Sequence, residues 1–218
     1  MLILLTNDDG IMAPGIVALY RQLVALGEVH VVAPETVQSA TGHGITIHSP
    51  LLTSRVTVEN AYTGIAVAGR PADCVKLAVA ELLPRMPDLV VRGMNSGVNT
   101  GINVIYSGTV AAAIEAAFLG LPSIAVSLHL RDDIETDYAG AAGHAVQTIR
   151  QILAAGLNKG QCVSVNLPAL SAGQKPRGIR VVPYGIGPSS DRLLRPPQGP
   201  QGPGLLLEQQ HLQTGNAG

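Results

Sequence analysis

The feature that most constrains this chain is the alternation of two patterns along most of its length. Short apolar runs rich in β-branched residues are separated by segments in which apolar residues recur every three or four positions. Ile16, Leu19 and Leu23, for example, fall on one face of a helix, with Pro14 before them and Gly27 after them as start and stop signals. Strands that alternate with helices predict an α/β fold, a mostly parallel sheet with helices on both faces. The predicted strands are 2–5, 29–33, 89–91, 124–128 and 163–167, and the predicted helices are 16–26, 71–83, 109–119 and 137–154.

The composition fits a well-packed interior. Hydrophobic residues make up 46% of the 218 residues and charged residues 13%, and the mean hydropathy is +0.29. Aromatic residues are only 3%, so Val, Ile, Leu and Ala must fill the core, as they do around buried parallel strands. The length suffices for one main core.

Charge and hydropathy argue against two classes of partner. The net charge is -1, without a basic block of the kind that binds a phosphate backbone, so we expect no nucleic-acid polymer as a partner. No apolar run approaches the roughly 20 residues that span a bilayer, and the short apolar start lacks a basic leader. We therefore expect no membrane partner and a cytoplasmic location.

Two segments depart from the alternation of strands and helices. Residues 45–68 contain short alternating apolar stretches, which predict an antiparallel insertion. From residue 183 onward the sequence is rich in Pro, Gly, Gln and Ser, a composition that buries too little apolar surface to order itself. We predict one α/β domain over residues 1–182, with a β insertion at 45–68, followed by an irregular tail or oligomerisation arm at 183–218.

Two adjacent carboxylates, Asp8 and Asp9, directly follow the first predicted strand. In an open parallel sheet, ligands bind outside the carboxyl ends of the strands. In a turn opened by Gly10 both carboxylates can converge, and such hard oxygen donors suit Mg²⁺ or Mn²⁺ rather than Zn²⁺. The alternative is an Asx-type turn with solvated acids.

A Gly/Asn-rich segment, residues 93–103, follows another apolar strand. Its three glycines recur at every fourth position and let the backbone approach a ligand, while asparagines such as Asn95 offer neutral oxygens and amides to a metal or phosphate. The spacing does not match a dinucleotide fingerprint. An ordinary Gly/Asn loop is the alternative.

Two further segments carry candidate groups. Ser107, Gly108 and Thr109 open the Ala-rich helix, where unpaired amides and the helix dipole favour an anion, although a plain helix cap is the alternative. In the loop over residues 33–44, Ser39 can supply a hydroxyl ligand, and His43 is either an acid–base group or a solvated histidine.

Taken together, these motifs resemble the SurE family of survival-protein nucleotidases. They occur in family order over roughly residues 1–130, and five linked motifs are more specific than any one of them. The motifs are the opening Ile3-Leu-Leu-Thr-Asn-Asp-Asp-Gly10 with Ala13-Pro-Gly15, the Ala33-Pro34 turn with Ser39, the helix start at Pro71, the Gly-x-Asn loop, and Tyr106-Ser-Gly-Thr-Val110.

The resemblance implies a Rossmann-like α/β core and a divalent-metal-dependent phosphomonoesterase that hydrolyses nucleoside 5′- and 3′-monophosphates. It implies one Mg²⁺ or Mn²⁺ ion per subunit and a homodimer, with a tetramer as the alternative. We expect the two aspartates to be catalytic as well, by anchoring the ion and, for one of them, orienting the attacking water. The implied metal ligands are Asp8, Asp9, Ser39 and Asn95, and the implied phosphate contacts are Asn95, Ser107, Gly108 and Thr109.

Departures from the family pattern keep a second function open. Arg92 stands where a small residue is usual, and it either crowds the site or contributes a phosphate contact. The residues after Pro34 and the tail also differ from the family pattern. The alternative function is a non-catalytic nucleotide- or metal-binding protein that retains the site. An aspartyl-phosphate mechanism is disfavoured, because it typically uses Asp-x-Asp and the acids here are adjacent.

Overall fold

The structure is a computed structural model and describes residues 1–38, 42–58, 60–100, 107–182, 192–194 and 206–208. For Thr109 and for the last two ranges it describes the backbone alone. The chain divides into two compact units, residues 1–184 and 185–218.

The first unit is built on a seven-stranded sheet in the order β3-β4-β2-β1-β5-β6-β7. Every neighbouring pair is parallel except the antiparallel pair β3 and β4. The mostly parallel sheet and the short antiparallel insertion predicted from the sequence are therefore confirmed. The strands are β1 Leu2–Thr6, β2 Glu28–Pro34, β3 Thr53–Val58, β4 Tyr62–Val67, β5 Leu89–Ser96, β6 Ser123–Leu128 and β7 Cys162–Leu167.

Helices cover both faces of this sheet. Because successive strand side chains point to opposite faces, β1 contributes to two cores: Ile3 and Leu5 pack in the core that includes α1 and α4, and Leu4 packs in the core that includes α2 and α3. All five residues of β1 are buried, as expected for a central parallel strand. The helices are α1 Pro14–Leu23, α2 Pro71–Leu77 with a following π-helical turn Ala78–Leu82, α3 Gly108–Phe118 and α4 Tyr138–Ala155.

The strand order reverses direction at β1. The next strand in sequence, β2, lies on one side of β1, and β5, β6 and β7 lie on the other. In sheets of this kind the crevice outside the carboxyl ends of the strands at the reversal is the position where ligands bind. The polar turns after β1, β2 and β5 therefore meet where a site is expected.

Two sequence-based boundaries differ from the structure. Residues 45–47 form no strand, because the backbone amide of Thr46 donates to the carboxylate of Asp73 and Ile47 remains 72% exposed. The fifth strand runs past Val91 to Ser96, so the Gly/Asn-rich segment begins as strand, with an irregular register between Arg92 and Asn95.

In the second unit the structure describes one antiparallel pair of short strands, β8 Arg192–Leu194 and β9 Leu206–Glu208. Across the described ranges of the whole chain, no helix is long and apolar enough to cross a membrane.

Candidate active site

The turn after β1 places both carboxylates at the carboxyl edge of the sheet. The side-chain amide of Asn7 donates to the carbonyl of Gly10 over 2.8 Å and closes the turn. Gly10 has a φ of +96°, a conformation that glycine adopts without steric cost. The Asp8 side chain is only 4% exposed, and Asp9 is half-buried.

A hydrogen bond joins this turn to the end of β5. The carboxylate of Asp9 accepts from the backbone N–H of Ser96 over 3.0 Å, which brings the adjacent Asn95 to the same edge. The side-chain NH₂ group of Asn95 donates to the Gly97 carbonyl over 2.8 Å. Because that bond uses the nitrogen, the amide oxygen keeps its capacity to accept from a ligand or coordinate a cation.

Burial raises the pKa of Asp9, and the negative charge of Asp8 raises it further. The hydrogen bond from Ser96 and the positive charge of Arg92 act in the opposite direction. A half-buried carboxylate beside a second carboxylate is a setting that a bound cation stabilises, because the cation offsets both desolvation and repulsion.

The loop after β2 reaches the same place. The backbone N–H of Gln38 donates to the backbone carbonyl of Asp8 over 2.7 Å. Ser39, the next residue and a predicted metal ligand, lies outside the described residues. The described part of the loop therefore leads to the carboxylate turn, and the role of Ser39 stays a prediction.

The first turn of α3 packs against both neighbours. A Cβ atom at Gly108 would lie 3.2 Å from Oδ2 of Asp8 and 3.4 Å from the carbonyl oxygen of Gln38. The Ser107 hydroxyl accepts from the backbone N–H of Val110 over 3.2 Å and so caps the helix. A helix cap was the alternative to an anion site considered from sequence. In that bond the hydroxyl acts as acceptor and keeps its own hydrogen for another acceptor. The backbone of Thr109 lies in the helix, and its side chain is outside the described part.

The donor set fits a hard divalent cation. Within the described ranges no three His, Cys, Asp or Glu side chains cluster as a metal site, so the carboxylate pair would need neutral oxygens to complete a coordination shell. Mg²⁺ is held in this way, by one or two carboxylates with water and substrate phosphate completing the shell. The side-chain oxygen of Asn7, buried beside the two aspartates, has no hydrogen-bond partner in the described part of the chain.

Arg92 lies directly behind Asp8. It is fully buried, and its Nη2 atom lies 3.3 Å from Oδ1 of Asp8. A side chain with no exposed surface does not fit the direct phosphate contact considered from sequence. From sequence this position was noted only as a departure from the family pattern, and the structure shows that its guanidinium forms an ion pair with Asp8.

One polar network was missed from sequence. Asn166, at the end of β7, accepts from the backbone N–H of Asn99 over 2.8 Å and donates to the Asn99 carbonyl over 3.2 Å. The side chain of Asn99 donates to the hydroxyl of Ser127 over 2.6 Å. These bonds fasten the Gly/Asn-rich segment to β6 and β7. A polar residue at the carboxyl end of an apolar strand was the available signal, and it applies to Asn166 as well as to Asp8.

His43 lies apart from the start of α3. Its ring contacts the carboxylate of Glu115 at 2.8 Å and stacks on Phe118, with 5.9 Å between the ring centroids. Glu115 is seven residues beyond Gly108, which is about 10 Å along a helix at 1.5 Å per residue. The contacts of His43 therefore belong to the far half of α3.

The fold and the site define a class: an α/β protein with a mostly parallel, Rossmann-like sheet and paired carboxylates at the strand ends, beside a helix start. The sequence model of the family described as Survival protein SurE matches residues 3–189, and this chain belongs to that family. The resemblance drawn from the five motifs is thus confirmed.

Individual proteins of known name are also similar to this chain. The 5′-nucleotidase SurE of Syntrophobacter fumaroxidans is 49% identical over 186 residues, covering 85% of this chain and 73% of the relative. The protein of the same name from Rhodopirellula baltica is 49% identical over 187 residues, with the same two coverages of 85% and 73%. Among solved structures, the SurE protein from Aquifex aeolicus matches with a TM-score of 0.79 at 35% identity, covering 96% of this chain and 83% of that one.

Proposed function

We propose that this chain is a 5′-nucleotidase, a phosphomonoesterase that releases inorganic phosphate from nucleoside monophosphates with the help of a divalent metal ion. The observation that carries the proposal is the contact of the Gly108 helix start with Asp8, beside the hydrogen bond between Asp9 and Ser96. These contacts support a single site made of the two carboxylates, the Asn95 amide and the helix-start donors. The shared name of the curated relatives supports the same activity.

Asp8, Asp9 and Asn95 would hold the metal ion, with Ser39 as a further proposed ligand. When bound, the ion supplies positive charge that offsets the negative charges of a phosphate monoester and of the two carboxylates. The carboxylates fix the position of that charge, because Asp8 is tied to Arg92 and Asp9 to Ser96. We propose that Asp9, the more exposed of the two, also orients the attacking water.

The start of α3 would bind the phosphate group. The first amides of a helix lack partners within the helix, and the helix dipole favours an anion there. Gly108 presents its amide without a side chain, and the Ser107 hydroxyl keeps a hydrogen for a phosphate oxygen. Donors fixed in advance stabilise the charge that develops on the equatorial oxygens during transfer. Thr109 is proposed as a further phosphate contact.

The substrate range, the metal ion, the cellular location and the assembly of the protein are proposals as well. We propose activity on 3′- as well as 5′-monophosphates, one Mg²⁺ or Mn²⁺ ion per subunit, a cytoplasmic location and a homodimer, with a tetramer as the alternative assembly. They rest on the resemblance to the family, and the oxygen-rich donor set favours the two metals.

A substrate panel tests the proposed function. Phosphate release from nucleoside 5′- and 3′-monophosphates would be measured with Mg²⁺, with Mn²⁺ and with EDTA. We expect metal-dependent turnover, and we expect Asp9→Asn to lower kcat by about 100-fold or more, the usual scale for losing a group that positions a reacting proton. Asp133→Asn is the matched control, because Asp133 is exposed and pairs with Arg131. Turnover that survives EDTA, or equal activity of the two variants, would contradict the proposal.

Arg92 favours one alternative, a protein that binds nucleotide or metal without turnover. Its charge lies against a carboxylate that would hold the ion. Metal-dependent nucleotide binding without phosphate release on any substrate of the panel would establish this alternative.

A further inference from the structure

Arg92 is a charged residue that lies inside the protein. Its side chain has no exposed surface, and the carboxylate of Asp8 is its charged partner at 3.3 Å. Its three side-chain nitrogens have no hydrogen-bond partner in the ranges that the structure covers. Burying a charged group without hydrogen bonds costs desolvation free energy. The ion pair with Asp8 offsets part of that cost.

The position of Arg92 in β5 places its guanidinium inside the protein, against Asp8. Arg92 is paired in register with Thr6 of β1, two residues before Asp8, and lies on the sheet face that α2 and α3 cover. An arginine guanidinium keeps its proton at neutral pH inside proteins. The carboxylate of Asp8 therefore has a permanent cation beside it, at 3.3 Å.

We propose that Arg92 is a positioning residue that acts as an internal counter-ion of Asp8 and thereby weakens divalent-cation binding at the proposed site. Two effects act in the same direction. The guanidinium engages one carboxylate oxygen, and its positive charge repels a second cation placed within a few ångströms. With Asp8 and Asp9 ionised and Arg92 charged, the three groups sum to one negative charge, whereas the two carboxylates alone would carry two.

This inference rests on the proposed metal site, and its test measures binding rather than turnover. Mn²⁺ affinity of the metal-free protein would be measured by calorimetry for the wild type, Arg92→Met and Arg85→Met. The Arg85 variant removes the same charge from an exposed pair with Asp88 and controls for net charge. We expect Arg92→Met to bind Mn²⁺ at least tenfold more tightly than the wild type, and Arg85→Met to bind it as the wild type does.

Thermal unfolding supplies a second readout. Without the guanidinium, the buried carboxylate of Asp8 loses its ion pair with Arg92, so metal-free Arg92→Met should unfold at a lower temperature than the wild type. Added Mn²⁺ should then raise the midpoint of the variant by more than it raises that of the wild type. If Arg92 served only to support the fold, its replacement would lower the midpoint without tightening metal binding. Arg92→Gln takes the place of Arg92→Met if the methionine variant does not fold.

The outcomes separate the inference from the proposed function. Equal or weaker Mn²⁺ binding by Arg92→Met or Arg92→Gln, with binding by the wild type intact, would overturn the role of Arg92 alone. Absence of Mn²⁺ binding in the wild type and the variants would overturn this role together with the proposed metal site.

Discussion

Gly108 is the residue at which the candidate site and the helix start are most tightly fitted. A methyl group there would lie 3.2 Å from Oδ2 of Asp8, closer than side chains normally approach, and in van der Waals contact with the Gln38 carbonyl oxygen at 3.4 Å. Gly108→Ala should therefore shift Asp8 or the helix start, and we expect kcat/KM for nucleoside monophosphates to fall by about tenfold or more, because small misplacements of reacting groups are costly. A phosphate-release assay measures the effect.

Gly143 provides the matched control for this substitution. It lies within α4, and apart from its chain neighbours and the backbone of its own helix, nothing in the described structure lies within 4 Å of the Cβ that alanine would add. Gly143→Ala should leave activity unchanged and raise the free energy of unfolding by about 0.5–1 kcal/mol, the usual helix preference for alanine over glycine. Equal loss of activity in both glycine variants would mean that the contact with Asp8 has no special role.

At the scale of elements, the Gly/Asn-rich segment depends on the strands beside it. Two hydrogen bonds with Asn166, one accepted and one donated by its side chain, and one bond to Ser127 fix Asn99, four residues beyond Asn95. Asn166→Ala should lower the free energy of unfolding by about 1 kcal/mol, since a net protein hydrogen bond contributes about that much. Because the segment would be held less firmly, we also expect KM for the substrate to rise.

Chemical denaturation and steady-state kinetics measure these two effects. Asn158→Ala, at an exposed loop position before β7, makes the same chemical change away from the segment and should alter neither quantity. An Asn166 variant with lower stability and unchanged KM would show that the network supports the sheet and does not position the site.

The sequence predicts an element well when the pattern that identifies it lies within the element itself. The alternation of apolar runs with helical faces identified the parallel strands and helices, because side-chain periodicity is a property of each element alone. It failed at Ile45 and Ile47, where alternation is present but Asp73, distant in sequence, takes the amide of Thr46. The end of β5 was set too early because glycines and asparagines look like a loop until β6 is known to pair beside them.

At the scale of the whole molecule, the described strands of the main sheet and the helices that cover it all end at or before Leu167, inside the first unit. We therefore expect a chain ending at Tyr184 to unfold in a single cooperative transition and to bind Mn²⁺. A chain ending at Gly160 should not, because it lacks β7 and leaves β6 without its outer neighbour. Circular dichroism during heating distinguishes the two, and a first unit that melts without cooperativity would contradict the expectation.

The candidate site was partly predictable for the same reason that the fold was. Asp8, Asp9 and Asn95 follow apolar strands, and parallel strands end at a common edge, so their proximity follows from topology. The ion pair of Arg92 did not follow, because an arginine inside an apolar run gives no sign of its partner until β1 and β5 are known to be neighbours.

The buried pair of Arg92 and Asp8 has a consequence for how the protein matures. If two neighbouring buried carboxylates were neutralised only by a bound ion, the newly synthesised chain could not bury them until that ion had bound. In this protein Arg92 already supplies one neutralising charge, so we infer that the sheet can assemble before the proposed ion binds and that the ion can exchange without unfolding it.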